Sequence, residues 1–269
     1  MVAAIEGPMA TAAALALALA LSHDVPEGLD LSRHWITDPI RLEVITGHGS
    51  PGELLDATRQ AAAAWNAVGA GPRLEVVEAN DENGELLGVD GASRVGVLHG
   101  GWPYPSQAGA ATVVWASSST HTIFESDVAL NPSFRFSDDN DEGDDEHDLV
   151  SVMAHELGHV LGLPDLVDQV EATMYPAIPA GETKKRDLSD SDVDTLIAAY
   201  QDVHFGGDAD PVVDVVAPVE ESFPLGDEPA GGCSQAGAVG PALLALCALL
   251  FKRRAHGGRV SSRRARAVR

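Results

Sequence analysis

The run His155-Glu156-Leu157-Gly158-His159, followed by Gly162, Pro164 and Asp165, constrains this chain more than any other part of it. On a helix, two histidines four residues apart stand one above the other on one face. Imidazoles so placed can grip a single zinc ion. Glu156 neighbours the first histidine, so it can reach a water on the metal without being a ligand. Gly162 can take the left-handed backbone conformation that ends a helix, and Pro164 prevents the helix from resuming. The chain can then fold back and offer Asp165. Three ligands, His155, His159 and Asp165, leave a fourth position open, the arrangement of a catalytic rather than a structural zinc site. The short motif alone also occurs as two surface histidines on an ordinary helix.

A second signal lies downstream in Ala172-Thr173-Met174-Tyr175-Pro176. Alone, Met174 reads as core filler. A methionine and a turn after the zinc motif form the second half of the metzincin pattern. With both halves present, the chain resembles a matrixin-type metzincin, a zinc endopeptidase, over residues 35 to 203. Weaker resemblances flank the motif: Ala61 to Asn66 to the family's first long helix, Asp127 to Asn131 to the segment before the active-site helix, and Asp187 to Asp192 with Ile197 and Tyr200 to the C-terminal helix. The resemblance implies an α/β fold of the metzincin-like (zincin) kind: a twisted mixed sheet, an active-site helix and a C-terminal helix. It also implies that Met174 forms an apolar floor under the ligands. Tyr175 to Gly181 would wall the pocket for the side chain beyond the scissile bond, with an apolar preference.

One departure from the family is Asp165, where matrixins usually carry a third histidine. Some secreted bacterial metzincins use Asp there. A carboxylate cancels part of the metal's charge and acidifies a bound water less than a third imidazole would. The other reading makes Asp165 a solvated turn residue and the site degenerate.

Acids outnumber bases 41 to 17, and the imbalance is local. Eight bases lie past residue 251, where there is no acid, so 9 bases face 41 acids before it, a net charge of −32. Such a surface repels nucleic acid and favours solubility. The two cysteines, Cys233 and Cys247, both fall outside the expected catalytic domain, which therefore has no disulfide and no cysteine-bearing propeptide.

Ala10 to Leu21 is apolar, with Ala20 and Ser22 placed as in a cleavage site before His23. Residues 1–22 are therefore expected to be a secretory signal, although a basic start is missing. A start at Met9 and a plain Ala-rich helix are the alternatives. Residues 23–205 form the expected catalytic domain. Within it, Ile40 to Thr46 alternates in the strand period. A helix is expected from Pro51 to Val68, capped by Ser50. Strands are expected at Leu74 to Ala79, Arg94 to Leu98, Ala110 to Trp115 and Asp127 to Leu130. The zinc helix spans Asp148 to Leu161 with Asp148 as its cap, and the last helix Ser189 to Gln201. By resemblance, Ala110 to Trp115 is the edge strand to which an extended peptide substrate adds by backbone hydrogen bonds.

Residues 137 to 148 form an acid run that reads either as a solvated loop or as a calcium site of hard oxygen ligands. Calcium is thus a second candidate cofactor beside zinc. Residues 206–232 hold four prolines and seven acids and read as an extended linker. Residues 233–269, preceded by Gly231-Gly232, combine Cys233, an apolar stretch and an Arg-rich end. This tail resembles the C-terminal sorting signals of myxobacterial surface proteins; a plain single membrane anchor is the alternative. The expected protein is a secreted, surface-anchored monomer. Glu156 would be the general base acting on protein or peptide substrates. The rival function is a non-catalytic adhesion or calcium-binding module on a degenerate protease scaffold, and a hydrolase of non-peptide amides also fits the bare motif.

Overall fold

The computed structural model describes residues 25–26, 28–47, 50–80, 86–137 and 145–206, and the backbone of 219–224. The expected signal segment, the centre of the acid run (138–144) and the tail 233–269 lie outside the described residues, as does the linker apart from 206 and 219–224. No helix among the described residues is long and apolar enough to cross a membrane.

After β1 (His34–Trp35) comes β2 (Ile40–Ile45), in which Ile40, Leu42 and Val44 are buried and Arg41 is exposed. This period-two pattern lays one face on a core. Helix α1 (Leu54–Val68) buries Leu54, Ala57, Thr58, Ala61, Ala62 and Trp65, the three-and-four spacing of a single helical face. Its first residue is three later than expected, and Ser50 does not cap it. The Ser50 hydroxyl donates instead to the Ile45 carbonyl at 3.0 Å, and the N-cap residue, Glu53, makes no side-chain capping hydrogen bond. The chain continues through β3 (Leu74–Ala79), β4 (Ser93–Val97), β5 (Ala108–Ala116) and β6 (Thr122–Leu130). Two short bridging strands, β7 (Phe136–Ser137) and β8 (His147–Asp148), precede α2 (Leu149–Val160). A single 3-10 turn (Lys184–Arg186) and α3 (Asp190–Tyr200) follow, and β9 (Val219–Pro224) is the last described element.

The main sheet runs in the order β3-β2-β4-β6-β5-β9, with β1 pairing the start of β6. β3, β2, β4 and β6 are parallel; β5 is antiparallel to both its neighbours. This is the mixed α/β arrangement the sequence implies. Helix α2 is buried at all twelve positions, as expected of a helix apolar nearly all round. It lies in the middle of the molecule, linked to α1 by Trp65, whose indole N–H donates to the Ala154 carbonyl at 2.7 Å.

Candidate metal centre

Three elements bring the centre together. Helix α2 begins where Asp148 accepts from the Ser151 amide at 2.8 Å, as its sequence position predicts. The same carboxylate is gripped by Nε and Nη2 of the Arg186 guanidinium, at 2.9 and 2.6 Å. The helix ends at Gly162, which has a φ of +85°. There the Gly162 amide donates to His159 O and the Leu163 amide to Gly158 O, a left-handed closure that satisfies the last carbonyls. A side chain at 162 would also meet the Arg33 carbonyl oxygen at 2.6 Å. Glycine is thus required there both for its φ and for the close approach. Tyr200 and Trp35 hold the same end: the Tyr200 hydroxyl donates to Leu161 O at 2.8 Å and the Trp35 indole to Val160 O at 2.7 Å.

The turn delivers Asp165 to the two rings. Its Oδ1 lies 3.5 Å from His155 Nε2 and 3.7 Å from His159 Nε2. The two Nε2 atoms are 2.9 Å apart. Each ring is fixed through its other nitrogen: His155 Nδ1 meets Thr173 O at 2.9 Å and His159 Nδ1 meets Leu163 O at 2.8 Å. A carbonyl can only accept, so both Nδ1 atoms carry the proton and both Nε2 atoms present lone pairs. Burial, and then the neighbouring His159, hold His155 well below the usual histidine range, so it is neutral. Two converging ring nitrogens and a carboxylate oxygen form a donor set suited to a cation. The three residues are a group that could hold one metal ion, and nitrogen with carboxylate oxygen suits zinc.

Glu156 is fully buried, and its Oε2 accepts from the Thr112 hydroxyl of β5. Met174 is fully buried as well. Its carbonyl accepts from the Leu166 amide at 2.8 Å, which ties the Asp165 segment to the methionine turn. Position 158 shows how closely the two pack: a Cβ on Gly158 would come within 2.1 Å of the Met174 sulfur.

Several residues that sequence reasoning did not single out hold this arrangement. Asp192 completes a capping box with Ser189 at the start of α3. Its two oxygens also accept from the Thr173 amide at 2.8 Å and the Met174 amide at 2.9 Å. The carbonyl of that same Thr173 positions His155, a support of the kind metal sites commonly carry. The Ser-x-x-Asp spacing predicts the cap but not the second use. Buried Lys185 donates to Tyr175 O at 2.7 Å and Ala177 O at 2.6 Å, fixing the segment after Met174. Burial lowers its pKa to about 8. Tyr175 receives this ammonium over its ring, 4.9 Å from the centroid. Of the acid run, His147 is buried beside Phe134, and Asp148 is the helix cap.

A comparison with protein families matches residues 56–201, more than half of the chain, to Matrixin. The chain belongs to the matrixin family. No curated protein matches it. Matrixins are zinc-dependent peptidases, typically secreted or extracellular, so at the family level this matrixin is a metalloendopeptidase. The matched region includes the histidine pair, Asp165, Met174 and the Ser189–Asp192 cap.

Proposed function

We propose that this matrixin is an active zinc endopeptidase with His155, His159 and Asp165 as its metal ligands and Glu156 as its general base. The observation that carries the reading is the convergence of two Nδ1-anchored imidazoles and one carboxylate oxygen within 3.7 Å of one another. A zinc ion held there supplies a Lewis acid for the scissile carbonyl and a charge that acidifies the attacking water. With zinc bound, Glu156 would be placed to take a proton from the attacking water and return it to the departing amine. The Thr112 hydroxyl, bonded to Glu156, holds the carboxylate in one orientation. Thr112 and Val114 of β5 share a cleft with His159, Leu163 and Pro164. A peptide laid along β5 would therefore pass beside the metal. Zinc and the peptide bond thus remain the cofactor and the substrate, and calcium keeps only the support of its acidic sequence. Secretion through residues 1–22, a catalytic domain over 23–205 and surface attachment through 233–269 are further parts of the proposal that rest on sequence.

The test is Glu156→Ala. It should keep one zinc per chain by atomic emission while casein cleavage falls by about 10²- to 10⁴-fold. Near-normal cleavage by that variant rejects the assigned base. Asp165→Ala should lower zinc content at equal protein; full retention removes Asp165 from the ligand set.

A further inference from the structure

The outer side of β5 has an occupant. Residues 219–224 run antiparallel along it, from Ala108 opposite Pro224, through Thr112 opposite Glu221, to Val114 opposite Val219. The middle of this ladder is thus the residue whose hydroxyl holds Glu156. Outward-facing backbone groups of a strand can serve one partner strand at a time. A peptide adding to β5 needs the same N–H and C=O groups that β9 uses, so β9 and substrate exclude one another.

We propose that residues 219–224 are a built-in competitor that covers the substrate edge of β5, so that the chain's own tail restrains its peptidase. The inference rests on the reading of β5 as the substrate edge. The register supports it, because the paired stretch coincides with the positions bordering the metal centre. Its length supports it too. Six residues ending in Pro224, which has no N–H to continue the ladder, make a strand that is marginal on its own. Tethering raises its local concentration to the order of millimolar. That is enough to compete with a weakly held peptide and too little to exclude a good one, so the restraint is graded.

The experiment uses the full chain in a Glu156→Ala background, which separates peptide binding from turnover. Backbone amides in a strand face alternate sides, so Glu220→Pro with Glu221→Pro removes one that faces β5. Glu220→Gln with Glu221→Gln has the same change in charge and keeps both amides. Ser222→Pro with Phe223→Pro replaces the first pair if that protein does not fold. Hydrogen exchange over residues 108–116 should be slow in the parent and the Gln control and at least about tenfold faster at alternate positions in the proline variant. Fluorescein-labelled β-casein should bind the proline variant about three- to tenfold more tightly. Exchange that is equal in parent and proline variant overturns the proposal, as does faster exchange without a gain in casein affinity. Casein cleavage with Glu156 restored reports separately on the peptidase reading, because neither measurement above depends on turnover.

Discussion

Two buried ionisable side chains, one basic and one acidic, do the same task on the two sides of this molecule. On the helix side, Lys185 points its ammonium at the carbonyls of Tyr175 and Ala177 and so fixes the segment after Met174. On the sheet side, Asp127 of β6 accepts from the amides of Gly88 and Arg94, at 3.1 and 2.8 Å. Its neighbour Glu125 accepts from Asp90 and Gly91. Each side chain pins a neighbouring segment through backbone groups that the segment does not pair for itself. Burial disfavours the charged form of both, raising Asp127 to about 8 and lowering Lys185 to about 8. The difference lies in what the pinned segment carries. The segment on the helix side supports a histidine of the candidate metal centre, whereas residues 86–92 lead into β4.

Removing a pin should therefore have consequences on one side that it lacks on the other. Asp192→Ala should have the largest effect, because it orphans the amides of Thr173, Met174 and Ser189 together. A loss of about 3–5 kcal/mol in urea unfolding is expected. Zinc affinity should fall about 10- to 100-fold through the freed Thr173 carbonyl. Asp127→Ala on the sheet side should destabilise the fold yet leave zinc affinity unchanged; equal loss of zinc in both variants would erase the contrast. Gly158→Ala comes next, at about 1–3 kcal/mol, because its methyl group would overlap the Met174 sulfur. Unfolding midpoints unchanged within error would mean that the turn yields freely.

The pH profile is read as a slope, at most about 1.4 kcal/mol per pH unit from each group. The sign differs between them. Asp127 stays protonated in the fold from its ordinary 3.8 up to about 8, a range in which the unfolded chain has lost that proton. Its contribution to stability is full below pH 4 and is lost as pH rises toward 8. Lys185 is deprotonated in the fold from about 8 to its ordinary 10.5, where the unfolded chain still holds the proton. Its contribution rises through that window. Melting temperatures of the parent minus Asp127→Asn, and minus Lys185→Met, should slope in opposite directions across these ranges. Flat differences would show that the loops relax and solvate their pins.

What the sequence made legible follows from how far each signal reaches. The ends of α2 carry short-range signatures, Asp148 three residues before the amide it caps and Gly162 just past the last turn. Both are found where the residues predict. β2 alternates, and both β2 and β3 are found within a residue of their expected ends. Thr112 could not be read, because its partner Glu156 lies 44 positions away and threonine in a strand is ordinary. Lys185 looked like one of three consecutive bases, since nothing local marks a lysine for burial. Gly158 did leave a trace: glycine inside an apolar helix costs about 1 kcal/mol relative to alanine, and such a cost usually means close packing. The strand expected at the edge, Ala110 to Trp115, lies within β5 but is not outermost in the described sheet, because β9 pairs along its outer side. Its neighbour β9 lies in a Pro-rich, acidic stretch whose composition gives no strand period.

Trp35 bears on how much of this chain must travel together. Its indole closes the end of α2, and its amide meets the Tyr200 hydroxyl at 3.3 Å. The strand after it, β2, sits between β3 and β4. The stretch of recognisable kinship begins only at residue 56. A recombinant fragment trimmed to that limit would lose an interior strand and strip a carbonyl at the helix end of its donor. The shortest piece able to stand alone must reach back at least to residue 34.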